Sequence, residues 1–534
     1  MQPTSRFPTL RPCDSAHMPR FAPASESSLT PERSRPRLEY TSRRASRPSG
    51  FRRGQATFEG PMSFVSFAFL ILYVIVLCLR FTIGRSKIAS TYMAALIVAS
   101  SVFYSWHIPV YLSLLLGSTI LDYIVARRIV LEAPGSVRRK ALLAISMIGN
   151  LGILCVFKYA DFLIEVLSKV VFAPEVYPLP SGLHLALPLG ISFYTFQSMS
   201  YTIDVYRGTI PPVSKFWRLF LFVSFFPQLV AGPIVRARDF LYQIDRRRRL
   251  NFLVFSEGMY LIIRGFFLKM VCANNLSPFV DNVFDRSPSE ISSTILLLGG
   301  LLFSCQIFCD FAGYSSIARG LAYILGFRLP VNFNNPYLAS TFSGFWRRWH
   351  ITLSEWLRDF LYIPLGGNRG SAGRTYVNLM IVMLLGGLWH GAAWTYVMWG
   401  AIHGGALAIE RLMGLHRLAE EGGLRSTSLR WIWFALVQAV VFMAWIVFRA
   451  PSLEFAGAYI GNLFVGSWGA VPPKAWIPLL VCLPVVAMHL RGFVADRNPT
   501  ARVGPLEKSI VAALMFIATL TFYGQDSAFI YFQF

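Results

Sequence analysis

"TYVNLMIVMLLGGLWHGAAWTYVMWGAIHGGALAI", Thr375 to Ile409, runs for thirty-five residues without an Asp, Glu, Lys or Arg. A bilayer core of roughly 30 Å takes about 20 apolar residues as a helix. This run is long enough for two spans. Met62–Leu79, Ser292–Cys309 and Trp431–Phe448 add three uncharged runs of eighteen residues. Ile88–Leu121 fits two short spans broken at His107-Ile108-Pro109. Further candidates are Ala141–Phe157, Phe162–Phe172, Leu185–Ile203, Leu219–Val235, Phe252–Ala273, Phe311–Phe327, Ala475–Leu490 and Ser509–Gly524. The pattern predicts an all-α polytopic transmembrane bundle of about 11–13 spans.

The composition agrees. The 534 residues are 54% hydrophobic and only 14% charged. A net charge of +23 would point to nucleic acid in a soluble chain. Here basic loops that orient the spans account for it, so no nucleic-acid partner is expected; the partner is the bilayer. The seven cysteines are scattered, mostly within apolar runs, and form no CxxC. They read as small apolar residues rather than disulfides or metal ligands.

Residues 1–61 are different. They hold eleven arginines, many serines and prolines, and no apolar run, the composition of a disordered basic extension. Asp14, Glu26, Glu32, Glu39 and Glu59 argue against a transit peptide. Arg80, Arg85 and Lys87, then Arg127, Arg128, Arg138, Arg139 and Lys140, place two loops in the cytoplasm. The first span would then begin outside, and an arginine-rich tail would have to cross the membrane. The expectation is that translation starts at Met62, leaving 62–534 as the transmembrane domain. An intact peptide from residues 1–61 in the native protein would refute it.

Against this apolar background, "WRRWHITLSEWLRDF" (Trp346–Phe360) packs three arginines, a glutamate, an aspartate and a histidine into fifteen residues. On a helical wheel Trp349, Leu353, Trp356 and Phe360 share one face. Arg347, Arg348, Glu355, Arg358 and Asp359 take the other. A charge facing lipid at mid-bilayer costs about 2.5–3.5 kcal/mol on insertion scales. The stretch therefore lies at the interface, or dips in against protein and water. An interfacial anchor, with tryptophans at headgroup depth, is the plain reading. Thr352-x-x-Glu355 fits a capping box, which would leave His350 in a turn before a second helix; one helix or two stays open.

In "GGLWHGAAW" (Gly386–Trp394), His390 lies deep in an uncharged run among small residues. An intramembrane histidine is a functional candidate by default, although one hydrogen-bonded between helices would look the same. His403 reads as structural. Asp310 closes an uncharged run and needs a partner or water, and Asn334-Asn335-Pro336 reads as a turn. No GxGxxG, Walker, HExxH or GxSxG pattern is present, and the histidines have no metal-ligand spacing, so no metal is expected.

Together these residues resemble a known family. "FNNPYLASTFSGFWRRWHITLSEWLRDFLYIPLGGNRG" and "GGLWHGAAWTYVMWGAIHGG" are similar to the signature of membrane-bound O-acyltransferases. "SFYTFQSMSYTIDVYRG", "FFPQLVAGPIVR" and "FIYFQF" resemble its bacterial branch of alginate O-acetylation and D-alanyl teichoic-acid transfer. The likeness runs from about Met62 to Phe534. The chain departs at Gly313-Tyr314-Ser315-Ser316, where the branch would read GYSD, so no role is assigned to residue 316.

The resemblance implies helices around a central tunnel, with His390 and His350 as catalytic residues. Trp346, Arg347, Arg348, Trp349, Ser354, Asp310, Asn334, Asn335 and Trp389 are candidates to line it. It implies an acyl thioester such as acetyl-CoA as donor substrate and no bound cofactor. It further implies a secreted polysaccharide acceptor of the alginate kind, an extracytoplasmic partner protein and the cell inner membrane. An exporter of sugar or lipid would also need polar residues in a bundle, but would show no acyl chemistry. A scaffold for a polysaccharide synthase would tolerate loss of both histidines.

Overall fold

The computed structural model describes residues 62–82, 89–171, 185–230, 232–246, 250–415, 427–497, 504–525 and 529–530. The expected extension 1–61 and the last four residues lie outside them. Every regular element among the described residues is helical. In chain order they are α1 (Phe67–Thr82), α2 (Ala89–Ser105), α3 (Tyr111–Ile129), α4 (Val137–Leu154), α5 (Ala160–Val171), α6 (Ile191–Tyr206), α7 (Phe216–Ser224), α8 (Phe226–Leu229), α9 (Ala237–Asp245) and α10 (Phe252–Phe266). Then follow α11 (Asn274–Phe284), α12 (Ser293–Ile324), α13 (Phe342–Trp346), α14 (Ile351–Leu357), α15 (Ala372–His390), α16 (Trp394–Leu412), α17 (Thr427–Arg449), α18 (Leu453–Val465), α19 (Trp476–Arg497) and α20 (Pro505–Thr521). Among the described residues, five stretches are each long and apolar enough to cross a bilayer: Val137–Ser168, Ser293–Ile324, Ala372–His390, Ser428–Arg449 and Pro473–Ala495. The protein is an all-α, multi-pass membrane protein.

Several expected spans change. Ser292–Cys309 and Phe311–Phe327 are one 32-residue helix, α12, running through Asp310. The charge does not break it because Lys269 Nζ meets Asp310 Oδ1 at 2.6 Å, and both side chains are buried. A buried charge persists only when paired. Ala141–Phe157 likewise joins the described part of Phe162–Phe172, through a π-helical turn at Cys155–Tyr159. Leu219–Val235 is not a span: α7 and α8 are nine and four residues long, and the chain between and after them is buried in protein. Pro227, at the start of α8, cannot continue a preceding helix. The break at 107–109 and the division of Thr375–Ile409 into two helices appear as read.

Small residues set the closest packing. A Cβ at Gly265 would meet Gly313 O at 2.6 Å, and one at Gly320 would meet Gly258 O at 2.6 Å. Two glycines seven residues apart on α10 thus face two on α12, and the backbones touch. α15 and α16 pair the same way. A Cβ at Gly387 would overlap Tyr396 O, and one at Gly400 would overlap Met383 O. That pairing is antiparallel, so Glu410, late in α16, is level with the first turn of α15.

The charged stretch of the sequence folds back on itself. Glu410 accepts from the amides of Phe342 and Ser343, holding the start of α13 level with the start of α15. α13 then carries Trp346 to Trp399 and His403, two to three turns back along α16. The chain turns at residues 347–350, and α14 returns along α6, where the Trp356 ring stacks on Phe196 at 3.8 Å. The segment ends at a π-helical turn, Arg358–Tyr362, from which a short loop leads into α15. It enters and leaves on one side: a re-entrant hairpin, not an interfacial anchor.

Candidate functional site

His350 sits at the inner turn of this hairpin, as the N-cap of α14. The choice left open by sequence falls to two helices, but Thr352 is not the cap. Its hydroxyl instead donates to Asn332 Oδ1 at 2.9 Å and accepts from the Ile234 amide at 3.0 Å. His350 is left-handed, with φ at 42°. For a non-glycine residue that costs about 1–2 kcal/mol. Asn332 holds the turn in place. Its carbonyl accepts from the Ile351 amide at 3.0 Å and its side chain accepts from the Thr352 amide at 3.2 Å. The left-handed turn aims the imidazole inward, edge-on to Phe311 at 4.7 Å between ring centroids.

His390 is the last residue of α15, and Gly391 then extends. Only glycine fits at 391, since a Cβ would overlap the Tyr396 ring. The end of α15 has orphan carbonyls and the negative end of the helix dipole. Lys158 answers both, its ammonium donating to Trp389 O at 2.7 Å and His390 O at 3.1 Å. Tyr159 donates to Leu388 O at 2.9 Å. Both residues come from the π-helical turn after α4.

The two imidazoles face each other with ring centroids 6.4 Å apart and planes inclined by 64°. Aromatic rings form the walls. Trp389 is 5.8 Å from His350, and Trp399 and Phe448 are 5.0 and 5.5 Å from His390. Behind them Trp349 meets Trp445 at 4.7 Å, and His403 packs edge-on to Trp399 at 4.8 Å.

The pair lies between two different surfaces. At the start of α6 a small cavity of about 60 Å³ is lined by Lys158, residues 187–193, Val230, Trp389 and His390. α6 spans sixteen residues, about 24 Å, to the opposite end. There Arg207 donates twice to Asp359 O at 3.1 Å, and Arg236 meets Asp359 Oδ2 at 2.7 Å. Arg358 bonds the same carboxylate at 2.6 Å. The Phe360 ring lies under Arg207 and Arg236, at 5.2 and 5.4 Å. Burial pushes the Asp359 carboxyl up, but hydrogen bonds from Arg358 and Arg236 outweigh that and hold it below the usual carboxylate range. One face is therefore cationic and the other is a narrow mouth of mixed polarity at His390.

His350, His390, Trp389 and the Trp346–Trp349 wall come together. Ser354 donates to the His350 carbonyl at 3.2 Å, which steadies the turn. The other candidates do not reach the histidines. Asp310 is committed to Lys269 and to the Ile530 amide at 2.7 Å. Asn334 and Arg348 bond each other's backbone, and Asn335 takes φ 45° against α19 near Gly492. Arg347 is exposed. Sequence reading missed Lys158 and Asn332. A lysine at the edge of an apolar run was the available signal for the first; nothing separates Asn332 from its neighbours in "VNFNNP". Among the described residues, no three His, Cys, Asp or Glu side chains gather as metal ligands.

Residues 212–452 match the membrane-bound O-acyltransferase family. The chain is 41% identical over 374 residues to the "Probable alginate O-acetylase AlgI" of Azotobacter vinelandii, covering 70% of this chain and 73% of that one. The chain belongs to the membrane-bound O-acyltransferase family. It is 37% identical to the peptidoglycan O-acetyltransferase of Helicobacter pylori, over 68% of this chain and 71% of that one. It is 30% identical to the teichoic acid D-alanyltransferase of Bacillus subtilis, over 40% of this chain and 56% of that one.

Proposed function

We propose that this protein moves an acetyl group from a cytoplasmic thioester, such as acetyl-CoA, to the hydroxyls of an extracytoplasmic polysaccharide. The observation that carries the reading is the histidine pair between a cationic face and a mouth some 24 Å away along α6. The arginines at 207, 236 and 358 suit a phosphate-bearing donor. They lie on the side that positive-inside reasoning assigns to the cytoplasm, and an inner-membrane location fits a donor on that side. The mouth at Lys158 and His390 suits the acceptor, or a partner protein that presents it. Relatives named for alginate and peptidoglycan O-acetylation favour acetyl over other acyl groups.

In this mechanism neutral His390 accepts the proton of the attacking hydroxyl, a role typically worth about 10²–10⁴-fold. The hydroxyl oxygen bonds to the thioester carbon, and His350 donates to the oxygen that gains charge. The carbon–sulfur bond breaks, and the thiolate takes the proton held by His390. Sealed vesicles of known orientation test this. Labelled acetyl-CoA on the cationic side should label acceptor on the other side. Transfer only when donor and acceptor share a side would overturn it.

A further inference from the structure

A second cavity, of about 390 Å³, lies between α12, α17 and α19. That is within the range of small-ligand sites, about 300–1,000 Å³. It is separated from the histidine pair by an aromatic layer. Trp445 lines it, and the Trp445 ring is 5.9 Å from Trp399, which in turn touches His390. Among the described residues lining it, none is charged. Its rim is open to lipid: Leu301, Val486 and Leu490 line it while 47–56% exposed, and all three helices contain candidate spans.

One side chain in this apolar space is out of place. His489 is only 5% exposed, packed edge-on to Phe308 at 4.9 Å and stacked on Tyr337 at 5.7 Å. Its Nδ1 lies 2.9 Å from Val485 O, and a carbonyl can only accept, so Nδ1 carries the proton. In the neutral ring Nε2 is then an acceptor. It is buried and has no hydrogen-bond partner among the described residues. A buried polar atom left unpaired costs about 1–3 kcal/mol. His489 lines the cavity and Nε2 lies beneath that lining, so a hydroxyl seated there satisfies it once the ring or a neighbouring side chain gives way.

We propose that this cavity is a binding site for a neutral lipid alcohol from the bilayer. The hydrocarbon chain lies along α12, α17 and α19, and the hydroxyl donates to His489 Nε2. The apolar walls and lipid-facing rim specify the chain. The lone acceptor specifies a donor group, and the uncharged lining disfavours a carboxylate or phosphate. Because the occupant packs on Trp445, it supports the aromatic wall behind His390 without entering the reaction path. The assignment does not depend on the transfer reaction.

Three photoreactive probes of equal chain length test it in phosphatidylcholine nanodiscs: a long-chain alcohol, the alkane and the fatty acid. Adducts are mapped by peptide mass spectrometry. The alcohol should label residues 301–305, 438–445 and 479–490 several-fold more than the alkane or the acid. In His489→Leu the alcohol should fall to the level of the alkane, whose own labelling stays unchanged. Val486→Trp, which fills the rim without touching His489, should suppress both and guards against a misfolded first variant. Equal labelling by alcohol and alkane in the unmodified protein would overturn the proposal. So would acid labelling that matches the alcohol, or alcohol labelling that survives His489→Leu.

Discussion

Replacing Lys158 with methionine keeps the length of the side chain and removes its charge. The ammonium makes two hydrogen bonds to the end of α15, at 2.7 and 3.1 Å. Bonds to a charged group contribute about 1.5–3 kcal/mol each. Methionine loses both, but it also relieves the desolvation of a cation among apolar neighbours, which costs several kcal/mol on the same scale. The two largely cancel in global stability, so the thermal midpoint should move by only a few degrees. They do not cancel locally. The carbonyl of His390 loses its tether, and misplacement by about 1 Å typically costs about 10²-fold in rate. The expected outcome is a fall in kcat of about 10–100-fold with the KM for donor unchanged, since Lys158 lies at the mouth opposite the cationic face. The assay is steady-state acetyl transfer in vesicles at matched, folded expression. An unchanged kcat would refute the argument that the cap on α15 positions the base.

Other predictions follow from the same geometry. Gly387→Ala should destabilise by about 1–3 kcal/mol or more, because its Cβ would overlap a backbone oxygen of α16. Gly405→Ala, with no atom within 4 Å of the new Cβ, should be neutral or stabilise by about 0.5–1 kcal/mol; thermal unfolding in detergent compares the two. Asn332→Ala should strip the clamp from the left-handed turn at His350 and leave buried donors at about 1–3 kcal/mol each, read as a lower midpoint together with lost transfer. Asp359 has its carboxyl held below its unfolded value of about 3.9. Its contribution to stability is therefore present above about pH 4 and lost as pH falls through the lower folded value. Asp359→Asn should flatten that part of the acid-unfolding curve.

The fold class was legible because uncharged runs of spanning length recur along the whole chain, as a bilayer requires. Helix boundaries were less so. Asp310 looked like the end of a span only because its partner, Lys269, comes from another helix. The likeness of Leu219–Val235 to a span was composition alone, since a segment buried in protein is as apolar as one buried in lipid. At the site, the two histidine motifs stood out because polar side chains are costly in an apolar setting. That Trp346–Phe360 is a hairpin was not legible. Its turn rests on Asn332 and Glu410, brought from elsewhere in the chain, and on a backbone conformation at His350 that no local pattern announces. Arg347, Arg348, Asn334 and Asn335 drew notice by proximity in sequence, and they serve the turn outside the aromatic box.

Acyl transfer is proposed to take place at His350 and His390. The most direct test is transfer of labelled acetyl from acetyl-CoA to polysaccharide by unmodified protein and by His390→Ala at equal, folded expression. Transfer by the unmodified protein, reduced about 10²–10⁴-fold in the variant, is the predicted result. Equal transfer by the two would contradict the account and remove His390 from the chemistry.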